Sequence, residues 1–200
     1  MHFKNLIDSL NKNEYAILPN WIPPDEVSRL GVEFSQLKDG GRFKPAGISK
    51  SQQKANDVRR DEIYWFEPGE LLPGQSALWE KFEVLRQELN RELYLGLWDL
   101  EGHFAHYPEG GFYRRHLDRF AKDDARTVTV VLYFNENWCP ENGGELVIFP
   151  SNSCREVERH IVIEPRAGTL VVFLSAKVEH EVLESHSARQ SFTGWYRRRR

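Results

Sequence analysis

The chain has 200 residues, with 27 Lys and Arg against 30 Asp and Glu and a formal net charge of -3. That length fits one domain with a substantial core, which six Trp, seven Tyr and twelve Phe make aromatic-rich, and the near-neutral charge gives no general case for nucleic acid. No window resembles a membrane span, residues 1–10 are too polar for a signal peptide, and the two cysteines, Cys139 and Cys154, lack a close metal-ligand spacing, so a reducing cytoplasm is the simplest expected home and no disulfide is required.

Residues 2–12 read as a short amphipathic helix, with Phe3, Leu6, Ile7 and Leu10 at helical spacing. Tyr15 to Leu18 is a short apolar run closed by Pro19 and reads as a strand. A second helix opens at Pro24, where Asp25 and Glu26 suit the positive end of its dipole, and stops at Gly40-Gly41. Residues 42–62 are polar and broken by Pro45 and Gly47; they are expected to form an exposed loop, either a plain connection or a cover for substrate. Ile63 to Phe66 follows as a strand. Residues 76–95 give the strongest helical pattern, Leu78, Phe82, Leu85, Leu89 and Leu93 forming one apolar stripe.

From residue 97 the period changes from helical to strand-like. Short strands are expected around Phe104–Tyr107, 112–118, 127–134, 145–149, 160–164, 169–173, 180–183 and 191–196, separated by turn residues such as Pro140-Glu-Asn-Gly-Gly. Helices followed by seven or eight strands with no helix between them predict a mainly β fold, a sandwich or jelly roll with supporting N-terminal α-helices. The chain is expected to divide into helical support and a substrate-loop region at 1–96, a β core at 97–196 and a solvated basic tail at 197–200. Gly110-Gly111 and Gly143-Gly144 precede no helix, so they read as turns or bulges and not as dinucleotide fingerprints.

Within 112–118, His116 and Asp118 are two positions apart. On a strand both would point to one face, with Leu117 on the other. His180, in Val-Glu-His-Glu-Val, is the best third donor. Two His and one Asp on one side of a divalent metal leave positions open for a co-substrate and O₂, which points to non-haem Fe(II). A His-x-Asp pair alone is also what a surface turn offers. His103, His106, His160 and His186 are expected to be ordinary buried or turn histidines, none of them a metal ligand.

The ordered set of motifs goes further. Tyr107-Pro-x-Gly-Gly-x-Tyr-x-Arg-His-x-Asp, Arg126-x-x-Thr-x-x-x-Tyr-x-Asn, Gly143-Gly-Glu-Leu-x-Ile-Phe-Pro, Pro165-x-x-Gly-x-Leu-x-x-Phe, His180-Glu-Val and Arg189-x-x-x-x-Gly-Trp-Tyr resemble the Fe(II)/2-oxoglutarate-dependent dioxygenases, in the prolyl 4-hydroxylase branch of the hypoxia-sensing enzymes and their bacterial relatives. The resemblance runs over roughly 20–196 and implies a double-stranded β-helix. It implies His116, Asp118 and His180 as iron ligands, and Arg189 as the fork of donors that receives the far carboxylate of 2-oxoglutarate. Tyr133 would donate to the same carboxylate, Tyr107 and Thr129 would line the co-substrate pocket, and Leu146 and Trp195 would wall it. Asp61 and Arg126 would pair to link the mobile loop to the core beside the substrate, with Tyr113 and Arg115 flanking the groove.

The implied reaction is hydroxylation of a prolyl residue in a protein, at C4, with succinate and CO₂ as co-products and ascorbate as a candidate reductant. A translation elongation factor is a candidate substrate. The alternatives are the same chemistry on another residue or a small molecule, or a cupin-like metal-binding module without turnover. Membrane and nucleic-acid partners are not expected, and the oligomeric state is left open.

Overall fold

The computed structural model describes residues 3–47, 57–118, 125–151 and 160–199. Helix α1 (Lys4–Asn13) buries Leu6, Ile7 and Leu10 and leads into β1 (Tyr15–Leu18). Helix α2 (Pro24–Asp39) starts on Pro24, whose missing N–H costs nothing in a first turn, and carries Asp25 and Glu26 there. Strands β2 (Lys44–Pro45) and β3 (Glu62–Trp65) precede α3 (Pro73–Leu93), which buries Leu78, Phe82, Leu85 and Leu89. The remaining strands are β4 (Leu97–Tyr107), β5 (Tyr113–His116), β6 (Arg126–Tyr133), β7 (Leu146–Pro150), β8 (Ile161–Ile163), β9 (Leu170–Leu174), β10 (Val178–Val182) and β11 (Arg189–Arg198).

They form two antiparallel sheets, a seven-stranded one in the order β1-β9-β6-β11-β4-β3-β2 and a four-stranded one in the order β5-β10-β7-β8. Alternation along the strands gives the large sheet two different faces. Phe104, Val128, Val130, Leu132, Val172, Phe192 and Tyr196 point to the helices and join Leu10, Leu30, Phe34, Phe82 and Leu85 in one core. Residues one position away, among them Ala105, Tyr107, Val131, Tyr133, Val171 and Phe173, point to the small sheet and pack with Leu146, Ile148, Val178 and Val182. Each fully buried side chain of this size contributes about 1.5–3 kcal/mol relative to exposure. The face toward the helices is thus sealed, and the face toward the small sheet holds the cavity.

Two polar contacts lock the helices to this frame. Leu72, at the N-cap of α3, has no side-chain acceptor, and Glu33 of α2 takes its place: its buried carboxylate accepts the backbone N–H of Gly74 at 2.6 Å and of Gln75 at 3.0 Å. On the other side of α3, the buried Tyr196 hydroxyl donates to the Phe82 carbonyl at 2.6 Å.

The architecture is the expected jelly roll with helical support, with some differences in detail. Strand β5 ends at His116, so Asp118 lies past the strand and does not share its alternation. Strand β2 sits in the stretch expected to be loop; residues 48–56 of that stretch, and Cys154, lie outside the described residues. The basic tail is partly sheet: β11 continues through Arg198, Arg197 bonds to Asp99 and Glu101, and the Arg199 guanidinium lies over Trp98. No described helix is long and apolar enough to cross a membrane.

Candidate active site

The cavity between the sheets has a volume of about 330 Å³ and is lined by His116, Asp118 and His180 together with Tyr107, Leu146, Arg189 and Trp195. His116 at the end of β5 and His180 on β10 are register partners across the small sheet, so strand pairing brings two imidazoles together from positions 64 residues apart in the chain. Asp118 joins them from beyond β5, with carboxylate oxygens 3.5 Å from Nε2 of each histidine. One donor atom from each residue lies within 4.8 Å of the others, the only such cluster of three among the described residues.

The protonation states suit a cation. His116 Nδ1 donates to the Arg114 carbonyl at 2.8 Å, which leaves Nε2 as the lone-pair nitrogen, and that buried atom has no hydrogen-bond partner. Burial pushes His180 down to about 4 against the opposing pull of Asp118, so its imidazole is neutral at pH 7. Burial alone would raise Asp118, but His180 and His116 outweigh it and hold its carboxyl well below the usual range. Two imidazoles and one carboxylate leave several coordination positions to other ligands, the donor set of a non-haem Fe(II) site.

Arg189 starts β11 on the floor of the cavity and is only 1% exposed. Its Nε donates to the Gly144 carbonyl at 2.8 Å and its Nη1 to Ser191 Oγ at 3.3 Å; no carboxylate of the described residues pairs with it. Gly144 permits this approach, since its φ is +65° and a Cβ there would sit 3.1 Å from Arg189 Cδ and 2.7 Å from Ser185 Oγ. The Tyr107 and Tyr133 rings flank the guanidinium at 4.8 Å and 5.1 Å. Burial pushes Tyr133 up to about 12, against Arg189, so the phenol keeps its proton, yet its buried hydroxyl has no partner. A buried cation without a counter-ion beside an unsatisfied hydroxyl is a receptor for a carboxylate. The residues present therefore fit both a divalent metal and a dicarboxylate such as 2-oxoglutarate.

Of the other expected residues, Tyr113 and Arg126 line the cavity, while Thr129, Asp61 and Arg115 do not. Thr129 does not line the cavity: it is fully buried behind it, and its hydroxyl donates to Asp118 Oδ2 at 2.9 Å. Asp61 and Arg126 do not pair. Arg59, two residues from Asp61 in the chain, reaches it with two bonds of 2.6 and 2.5 Å, whereas Arg126 bonds to Glu101 at 2.8 Å and lies 3.6 Å over Trp195. Arg115 bonds to Glu179 and covers Phe149. Tyr113 stacks on His116, with ring centroids 3.7 Å apart, and carries Arg59 on its other side. The cavity also takes Val182 of the His180-Glu-Val motif, and Arg59, Trp65, Val131, His103 and Thr193, to which the sequence motifs assign no role. The register does explain His103 and Thr193: they are partners across β4 and β11, in step with Tyr107 and Arg189.

A family model for the 2OG-Fe(II) oxygenase superfamily matches residues 102–197. A prolyl-4-hydroxylase of Pseudomonas putida is 39% identical, with all of both chains covered and a TM-score of 0.88. A prolyl hydroxylase from Trichoplax adhaerens, solved with a hypoxia-inducible factor peptide fragment, is 27% identical over 96% of this chain and 87% of that one, with a TM-score of 0.85. The human Egl nine homolog 1 is 29% identical over 96% of this chain and 45% of its own length. The chain spans between 28% and 57% of the length of the curated animal relatives it matches. With the His116–Asp118–His180 cluster and the buried Arg189 lining the same cavity of a jelly roll, the chain belongs to the 2OG-Fe(II) oxygenase superfamily.

Proposed function

We propose that this chain hydroxylates a prolyl residue of a protein substrate, using Fe(II), 2-oxoglutarate and O₂. The observation that carries the chemistry is Arg189, a buried cation without a carboxylate partner among the described residues, in the same cavity as the two-histidine, one-carboxylate cluster. The prolyl preference is supported by the full-length likeness to the Pseudomonas putida prolyl-4-hydroxylase. The metal and 2-oxoglutarate, when bound, supply the oxidation of an unactivated C–H bond, with succinate and CO₂ as co-products.

The chain's own residues then have separate tasks. His116, Asp118 and His180 hold the metal, and Thr129 holds Asp118. Arg189 and Tyr133 orient the far carboxylate of 2-oxoglutarate, and Tyr107 packs against that pair. Leu146, Val131 and Val182 keep this end of the cavity apolar, which excludes water from the reacting centre. Trp65, Tyr113 and Trp195 give the open end aromatic walls suited to a pyrrolidine ring. Asp61, through Arg59 and Tyr113, ties the foot of the 42–62 stretch to the strand bearing His116. C4 is the proposed position of attack, and a translation elongation factor is the first protein substrate to test.

An anaerobic titration with Fe(II) and 2-oxoglutarate tests the reading. A new visible metal-to-ketoacid band in the wild type, absent in His180→Ala, is expected, followed by a gain of one oxygen on a proline-containing peptide. No band in folded, iron-loaded protein would overturn the oxygenase reading. A band together with oxygen transfer to other side chains or small molecules but never to proline would leave the chemistry and reject the prolyl substrate.

A further inference from the structure

His103 is a titratable group in the cavity that metal and co-substrate binding leave without a task. It lies on β4, directly across from Trp65 on β3 and from Thr193 on β11. Its ring is 4.7 Å from that of Trp65 and 5.3 Å from that of Trp195, which are 6.1 Å from each other, so the three rings form one aromatic cluster. It is 3% exposed and lines the cavity beside the cluster of His116, Asp118 and His180. No hydrogen bond from the described residues reaches either ring nitrogen, and Nδ1 is fully buried. Thr193, facing it across the strands, also lines the cavity.

A core histidine is ordinarily stabilised by a partner, because burying an unsatisfied polar group is costly. An imidazole packed against two indoles with no partner among the described residues is a site waiting for a polar atom from outside the chain. Burial pushes this ring down to about 3, with the Arg59 and Arg126 guanidinium groups adding to the effect, so it is neutral at pH 7 and carries one N–H. Of the charged groups lining the cavity near it, Arg126 is bonded to Glu101 and Arg59 to Asp61; Trp195 Nε1, like His103 Nδ1, is a buried nitrogen with no hydrogen-bond partner among the described residues. A prolyl residue in a peptide has no backbone N–H, so its main chain offers acceptors only. A neutral N–H donor among indole faces matches that pattern, with the rings covering the pyrrolidine and the donor taking a carbonyl.

We propose that His103 is a substrate-positioning residue whose imidazole N–H donates to a backbone carbonyl of the target prolyl residue. This rests on the prolyl-hydroxylase reading given above. The imidazole fixes the ring over the metal cluster and takes no part in holding metal or 2-oxoglutarate.

The test compares wild type with His103→Phe, which keeps an aromatic ring against the indoles without a donor, and His103→Gln, which restores an N–H. The probe is a panel of short blocked peptides, each with one central proline, scored by mass for one added oxygen. The expected result is a KM for peptide raised roughly ten- to hundredfold in His103→Phe. The KM for 2-oxoglutarate and the anaerobic metal-to-ketoacid band stay as in the wild type, and His103→Gln recovers much of the peptide KM. An unchanged peptide KM in His103→Phe overturns the proposal. So does a parallel loss of the ketoacid band in both variants, which would make His103 part of the metal and co-substrate site or of the frame. If the wild type forms the band but modifies no prolyl peptide, the prolyl reading itself fails and takes the named carbonyl with it.

Discussion

Thr129 Oγ1 lies 2.9 Å from Asp118 Oδ2 and donates to it, and the same hydroxyl meets Ser175 Oγ at 2.9 Å. Since the Thr129 proton is committed to the carboxylate, Ser175 donates to Thr129, and a relay of two buried hydroxyls orients the Asp118 carboxylate. Asp118 has left the end of β5 and has no strand pairing to fix it, so this relay takes over that task. Removing a partner of a metal ligand typically costs 10–100-fold in affinity. Thr129→Val is expected to weaken Fe(II) or Mn(II) binding by about that range with the fold intact, and Thr129→Ser to retain most of it. Metal titration followed by circular dichroism checks this; wild-type affinity in Thr129→Val would reject the relay.

Arg189→Ala is expected to weaken 2-oxoglutarate by roughly 2–5 kcal/mol, about thirtyfold or more, because a carboxylate would be left without its buried partner. Metal affinity should change little. Tyr133→Phe removes one neutral hydrogen bond and is expected to cost about 1 kcal/mol, or fivefold. Calorimetric titration of 2-oxoglutarate into Mn(II)-loaded protein separates the two, and a larger loss in Tyr133→Phe than in Arg189→Ala would reverse the assigned roles.

His103 gives stability an acid limb. Its ordinary value is 6.5 and burial pushes it down to about 3 in the fold. Between those values the unfolded chain binds a proton that the folded chain refuses, so stability is full above pH 6.5 and falls as pH drops toward 3. The slope is up to about 1.4 kcal/mol per pH unit. His106, pushed down by burial and by Lys38, adds to the loss in the same direction. The depressed carboxyl of Asp118 acts only below its own ordinary range, under about pH 4. Urea midpoints of the metal-free protein between pH 7 and 4 are expected to flatten in His103→Phe; an unaltered pH slope would remove His103 as the cause.

Glu33→Ala leaves the first turn of α3 with two buried backbone N–H groups unsatisfied. A destabilisation of about 1–3 kcal/mol is expected, seen as a lower urea midpoint with an unchanged slope. Metal affinity should be unaffected, since α3 packs on the face of the large sheet away from the cavity. Wild-type stability in Glu33→Ala would show that water satisfies the helix end.

Much of the chain was legible from local pattern. The 3.6 period of Leu78, Phe82, Leu85 and Leu89, the period of two through Val128, Val130 and Leu132, and the Pro and Gly stops depend only on which face a side chain takes, and that is fixed by backbone geometry. The donor set was legible too, because a His-x-Asp with a later His and Arg in fixed order reflects strands that must pair in one register. The third dimension was not. His116 and Asp118 were expected to meet by strand alternation, but the strand ends at His116 and Thr129 turns the carboxylate inward. Asp61 and Arg126 have opposite charges and a plausible placement, yet each found another partner, Arg59 within two residues and Glu101 on β4 of the same sheet.

The sequence by itself determined the elements, the order of the strands along the chain and the identity of the ligating groups, since propensity, period and donor chemistry are properties of residues and their spacing. Only the tertiary structure decided which polar groups are left without a partner. The Tyr133 hydroxyl and His103 Nδ1 are left without a hydrogen-bond partner among the described residues, and Arg189 without a carboxylate, and these outcomes depend on sheet pairing between positions far apart in the chain.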